Sequence, residues 1–179
     1  MLSAMRGRGL RSPTAVLWAA CVVALVLTGR PTIHQAAAAV AAPWADGAFA
    51  FTTIDAPGAT YTSAQGVSGS GAIVGGFLDS GGTPHGFIRT AAGAFVTVDV
   101  PGARETGIWG INDAGQVVGF FGDADGRTHG FTQTSTGVFT SIDVPGATRT
   151  SAWGIGGAGQ IAGLFEDAGG RDTGFVRAA

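Results

Sequence analysis

Large apolar residues alternate with small or polar ones over short runs, and each run stops at a turn rich in glycine. Phe95-Val96-Thr97-Val98-Asp99 is such a run and ends at Pro101-Gly102, which predicts a strand of period two. Thr106-Gly107-Ile108-Trp109-Gly110-Ile111 and Gln116-Val117-Val118-Gly119-Phe120-Phe121 flank Asn112-Asp113-Ala114-Gly115. There Asn and Asp can fold back on the backbone and Gly115 supplies a positive φ, so the two runs predict a hairpin. A turn at Gly122-Asp123-Ala124-Asp125-Gly126 and a run at Gly130-Phe131-Thr132-Gln133-Thr134 add one more strand. No helical period appears.

The same frame recurs every 44 residues, in Asp55-Ala56-Pro57-Gly58-Ala59, Asp99-Val100-Pro101-Gly102-Ala103 and Asp143-Val144-Pro145-Gly146-Ala147. Gly86-Phe87, Gly130-Phe131 and Gly174-Phe175 repeat with it. A unit of this size cannot bury its own apolar face, so neighbouring copies must stack to make a core. The expected fold is all-β, with three four-stranded antiparallel units arranged as β-propeller-like blades. A β-trefoil or another three-fold barrel is the alternative.

The tight links through Ala91-Ala92-Gly93 and Ser135-Thr136-Gly137 read as hairpins, and the longer Val100-Pro101-Gly102-Ala103-Arg104-Glu105 as the crossover between sheets. Each sheet then starts on the strand holding Gly66, Gly110 or Gly154 and ends at Asp99 or Asp143. The third lacks its last strand, and Phe51-Thr52-Thr53-Ile54-Asp55 is a spare one that is expected to complete it. Phe77, Phe121 and Phe165, with Phe87, Phe131 and Phe175, are the expected aromatic core.

Residues 1–39 read as a signal peptide, with Arg6, Arg8 and Arg11 ahead of an apolar run from Ala15 to Leu27 and an Ala37-Ala38-Ala39 cleavage pattern. A linker over 40–50 and one β-repeat domain over 51–179 follow, with repeats at about 51–94, 95–138 and 139–179. The expected location is secreted or cell-surface, with no membrane attachment after cleavage. The single cysteine, Cys21, leaves with the signal, so packing and sheet hydrogen bonds alone must hold the domain. Lysine is absent, and residues 40–179 carry six arginines against twelve acidic residues, a formal charge of −6. A partner made of nucleic acid is excluded on that balance, because phosphate binding needs a basic face.

Thr97-Val98-Asp99-Val100-Pro101-Gly102-Ala103, Gly110-Ile111-Asn112-Asp113-Ala114-Gly115-Gln116-Val117-Val118-Gly119 and Thr128-His129-Gly130-Phe131 together resemble the bacterial extracellular HAF repeat. The resemblance covers all three copies and implies an exported repeat protein. It carries no activity with it. The first copy departs from the string at Ser68-Gly69-Ser70 and the third at Gly156-Gly157-Ala158.

Candidate chemistry is sparse. His85 and His129 are equivalent but the third equivalent is Thr173, and the expected role of each imidazole is to cap a strand start by donating to a loop carbonyl. Asp55, Asp99 and Asp143 are expected to accept amides of the turn that follows them. Asp123-Ala124-Asp125-Gly126 opens like a calcium loop but lacks a distal acidic ligand, so a hairpin turn is the better account. No nucleophile motif stands out, and no catalytic residue, metal site or cofactor is expected. Trp109 and Trp153 occupy equivalent positions whose first-copy counterpart is Gln65, and Tyr61 precedes them in a loop. Either they fill the core between sheets or they present a ligand-binding face. With Tyr61 and with Glu105, which aligns with Tyr61 and Arg149, they make the candidate binding residues.

The expected function is thus an exported, non-catalytic scaffold that binds a protein or a cell-envelope glycan. Two alternatives are a glycan hydrolase using acids such as Glu105 and Asp143, and a truncated array without independent function. A homodimer completing a ring is a further expected partner arrangement.

Overall fold

A computed structural model describes residues 50–179. The expected signal peptide and nearly all of the expected linker lie outside the described residues. Eleven strands follow one another without a helix between them. The first sheet contains β1 (Tyr61–Val67), β2 (Ile73–Leu78), β3 (Pro84–Arg89) and β4 (Phe95–Val98). The second contains β5 (Glu105–Ile111), β6 (Val117–Gly122), β7 (Thr128–Gln133) and β8 (Phe139–Ile142), and the third β9 (Arg149–Ile155), β10 (Ile161–Glu166) and β11 (Asp172–Arg177).

Every strand pairs antiparallel with its sequence neighbour, giving sheets ordered β1-β2-β3-β4, β5-β6-β7-β8 and β9-β10-β11. The change of sheet falls between β4 and β5 and between β8 and β9, at the Pro-Gly segments where the sequence put the crossover. Gly115 has φ of 73° in the β5–β6 turn, as its position required. The three sheets do not close on one another.

One expectation fails. Residues 51–55 form no strand, and the third sheet stays at three strands, with Phe51 two-thirds exposed. The local sequence is as strand-like as that of β4 or β8, but a lone run of five residues has no ladder unless a free edge lies beside it.

The core is a pair of interfaces between consecutive sheets. Val74 and Val98 of the first sheet pack with Ile108, Val117 and Phe131 of the second. Val118 and Ile142, on the other side of that second sheet, pack with Ala152 and Ile161 of the third. Val117 and Val118 are chain neighbours and are both fully buried, because successive strand residues point to opposite faces of a sheet with neighbours on each side. Phe87 and Phe131 are each only 1% exposed, with Phe95 and Phe139 tilted against them.

Glycine sets how closely strands approach. A Cβ at Gly119 would overlap the carbonyl oxygen of Gly107 on β5, and one at Gly75 or Gly163 would meet the same obstacle at Ser63 or Ser151. Between sheets, a Cβ at Gly66 would lie 3.1 Å from the carbonyl oxygen of Trp109, and one at Gly110 would lie 3.0 Å from that of Trp153. The first strands of the three sheets therefore run side by side at backbone contact, and only glycine fits there.

Candidate functional site

The pairing of β5 with β6 skips a residue between Ile108 and Gly110, and that of β9 with β10 skips one between Ala152 and Gly154. The skipped residues are Trp109 and Trp153. A bulge leaves one residue without a cross-strand partner and re-aims its side chain. The two indoles consequently leave the strand alternation and lie against one another, with ring centroids 5.5 Å apart and planes within 7°. Trp109 is 37% and Trp153 46% exposed, so the core-filling reading of these residues is overturned. Phe120 meets Trp109 edge-on at 6.0 Å.

The equivalent bulge in β1 carries Gln65, whose amide nitrogen donates to the Ser63 hydroxyl at 2.8 Å. Tyr61 is the first residue of β1 rather than part of a loop, and it is exposed. Glu105 is the first residue of β5, opposite Gly122. Each lies four positions along its strand from the bulge, roughly 13 Å at the usual strand rise. The structure thus brings Trp109 and Trp153 together, leaves Glu105 at the far end of the Trp109 strand and places Tyr61 at the equivalent end of β1.

That far end holds two imidazole clamps. The His85 Nδ1 lies 3.0 Å from both carboxylate oxygens of Asp99, and its Nε2 lies 3.5 Å from Asp79 Oδ2. In the next repeat His129 Nδ1 is 2.8 Å from Asp143 Oδ1 and its Nε2 3.2 Å from Asp123 Oδ2. Phe77 stacks on His85 and Phe121 on His129. The other oxygen of each turn aspartate is already committed, since Asp79 Oδ1 accepts the amides of Gly81 and Thr83, and Asp123 Oδ1 those of Asp125 and Arg127. The Asp123 segment is accordingly a hairpin turn.

These contacts correct two expectations. Each histidine bonds carboxylates rather than a loop carbonyl, and Asp99 and Asp143 hold an imidazole rather than the amides of the next turn, where Val100 and Val144 carbonyls serve instead. Partial burial pushes each imidazole down, but the hydrogen bonds and negative charge of its two aspartates outweigh this and raise its pKa above the ordinary value. The backbone amide of Thr83 is the main cause that lowers Asp79, and that of Arg127 the main cause that lowers Asp123. The third repeat replaces the clamp with Arg149, which pairs with Glu166 and Asp172 at 2.6 Å each.

A cleft of about 230 Å³ opens between the first clamp and the β4–β5 crossover, lined by His85, Asp99, Arg104 and Glu105 among others. Among the described residues no group of three or more acidic, His or Cys side chains is placed to hold a metal ion. No protein-family model and no curated protein matches this sequence.

Sequence reasoning missed one further set of contacts. Asp113 Oδ1 accepts the amide of Gly69 at 2.6 Å, and Asn112 Nδ2 donates to the carbonyl of Gly156 at 3.1 Å. The middle turn therefore reaches both flanking turns. The signal was present in the departure at Gly69, where a Cβ would lie 2.9 Å from Asp113 Oδ1.

Proposed function

We propose that the protein is an exported, non-catalytic β-repeat scaffold, related to the bacterial HAF repeat, whose units act as propeller-like blades and whose Trp109/Trp153 pair binds a protein or cell-envelope glycan. The observation that carries this reading is the exposure of two parallel, stacked indoles at equivalent bulges. An indole in a sheet protein is ordinarily buried. Two bulges that turn indoles outward and stack them leave an exposed outer ring face and exposed ring edges, suited to a sugar ring or a partner's aromatic side chain.

The propeller-like reading draws support from the strand pairing, which stays within each sheet and passes through its strands in chain order, as in a meandering blade. A trefoil needs strands of different three-fold units to pair in a shared barrel. The hydrolase reading is weaker, because Asp99 and Asp143 are each tied to an imidazole, and Glu105 then lacks a free carboxyl partner across the cleft.

The deciding experiment titrates the secreted protein with soluble peptidoglycan and teichoic-acid fragments while following tryptophan fluorescence. Binding that vanishes in Trp109→Ala/Trp153→Ala, with the far-ultraviolet sheet spectrum retained, supports the site. Binding that survives the double substitution removes it.

A further inference from the structure

The segment before β1 is built as though a strand and a sheet preceded it. After β4, the Val100 amide donates to Thr106 Oγ1 at 3.0 Å, the Ala103 amide to the Val100 carbonyl at 3.0 Å, and the Arg104 amide to the Gly122 carbonyl at 2.8 Å. After β8 the same three bonds recur from Val144, Ala147 and Thr148. Before β1 they recur again, from Ala56 to Thr62 Oγ1 at 3.1 Å, from Ala59 to Ala56 at 3.1 Å and from Thr60 to Leu78 at 2.9 Å. Residues 56–60 thus make the same set of bonds as the crossovers that follow β4 and β8, and residues 51–55 hold the place in sequence that β4 and β8 hold before those crossovers. Yet among the described residues 51–55 pair with nothing and β11 has no partner on its outer edge.

The two outer faces match in the same way. In both internal cores five positions meet, and each has an apolar equivalent on the two outer sheets, of which Phe87 is already buried. Ala162 and Ile54 correspond to Val74 and Val98, while Ala64, Ile73 and Phe87 correspond to Ile108, Val117 and Phe131. Ala64 and Ala162 are exposed, and Val67 is 67% exposed where its equivalents Ile111 and Ile155 pack against the cores.

We propose that residues 51–55 of one molecule add as a fourth strand to β11 of a second copy, and that the exchange is reciprocal, so that two molecules close one ring of six sheets. Six lies within the range in which blades close a ring. The register follows from β3–β4, where Gly86 faces Val98 and Ile88 faces Val96, so Gly174 faces Ile54 and Val176 faces Thr52. Strand addition satisfies the free edge of β11, which otherwise invites uncontrolled pairing. The contact is isologous for the pair as a whole, because each molecule gives one strand and receives one. It does not involve the indole pair, so it stands or falls separately from the ligand reading.

The test uses two secreted proteins, both with Cys21→Ser so that no other thiol is present, one carrying Thr52→Cys and the other Val176→Cys. Both positions are exposed, so neither substitution threatens the fold. After mild oxidation the mixture is expected to give a disulfide-linked dimer on a non-reducing gel that neither protein gives alone. Wild-type protein is expected to have the mass of two chains by light scattering, and Thr53→Pro that of one with its sheet spectrum kept. A wild-type monomer, an open series of larger species, equal cross-linking of either protein alone, or a link within one molecule carrying both cysteines would each overturn the proposal.

Discussion

Asn112 donates its side-chain amide to the carbonyl of Gly156, the residue that occupies its own position one repeat later. The same side chain donates to Gln116 Oε1 at 2.8 Å and accepts the Gln116 amide at 3.0 Å, and it is 96% buried. One residue thus closes its own hairpin and ties the second sheet to the third. Asn112→Ala leaves the Gly156 carbonyl and the Gln116 amide to find other partners, and its expected cost is about 2 kcal/mol, seen as a lower urea midpoint. Asp113→Ala removes only the exposed bond to Gly69, and its expected cost is below about 1 kcal/mol. Equal losses for the two would contradict this ranking.

The imidazole clamps make stability depend on pH with a definite sign. The His85 and His129 pKa values lie above their ordinary value of 6.5 in the folded chain. Their contribution is therefore fully present below pH 6.5, and it is lost as pH rises through the higher folded-state value. Asp79 and Asp123 behave oppositely, contributing above the ordinary carboxylate value of 3.8 and losing that contribution as pH falls through their lowered pKa values. The denaturation midpoint is expected to drop over the interval above pH 6.5 in the wild type and to flatten in His85→Asn/His129→Asn. A midpoint that rises over that interval would refute the clamps.

Much of this architecture is legible in the sequence because the repeat states it three times. Alternation in Phe95–Val98, the turn chemistry before Gly115 and the longer Pro-Gly link gave strand, hairpin and crossover without any knowledge of contacts. The clamps were not legible. His85 and Asp99 are fourteen positions apart, and only the β3–β4 register places the imidazole of one beside the carboxylate of the other. The outward turn of Trp109 was also hidden, since a bulge is a property of a pair of strands, and the glycine after the tryptophan marked it only in retrospect. Residues 51–55 form no strand within one chain because the three sheets do not close, and strand propensity needs a free edge within reach.

Close backbone approach predicts a sharp contrast among glycines. A Cβ at Gly119 would overlap the Gly107 carbonyl oxygen, whereas one at Gly157 would meet nothing within 4 Å. Gly119→Ala forces β5 and β6 apart in the middle sheet, where both faces are packed, and is expected to cost about 3 kcal/mol or more. Gly157→Ala has open space at its Cβ in an exposed turn and is expected to change stability by less than about 0.5 kcal/mol. Thermal melts of the two variants, side by side, separate a packing requirement from a general glycine preference.

The indole pair predicts that binding and stability separate. Both rings are more than a third exposed, so truncating either forfeits mainly the stacking contact, worth roughly 0.5–1.5 kcal/mol. Trp153 is the more exposed of the two, while Trp109 is also held edge-on by Phe120. Trp153→Ala is therefore expected to remove most of the ligand-induced fluorescence change and to lower the melting midpoint only slightly, whereas Trp109→Ala also frees Phe120 and lowers the midpoint further. Trp153→Phe keeps an aromatic face at the bulge and is expected to retain part of the affinity. If Trp153→Ala instead unfolds the domain, the ring is a packing element and the binding face must be sought elsewhere.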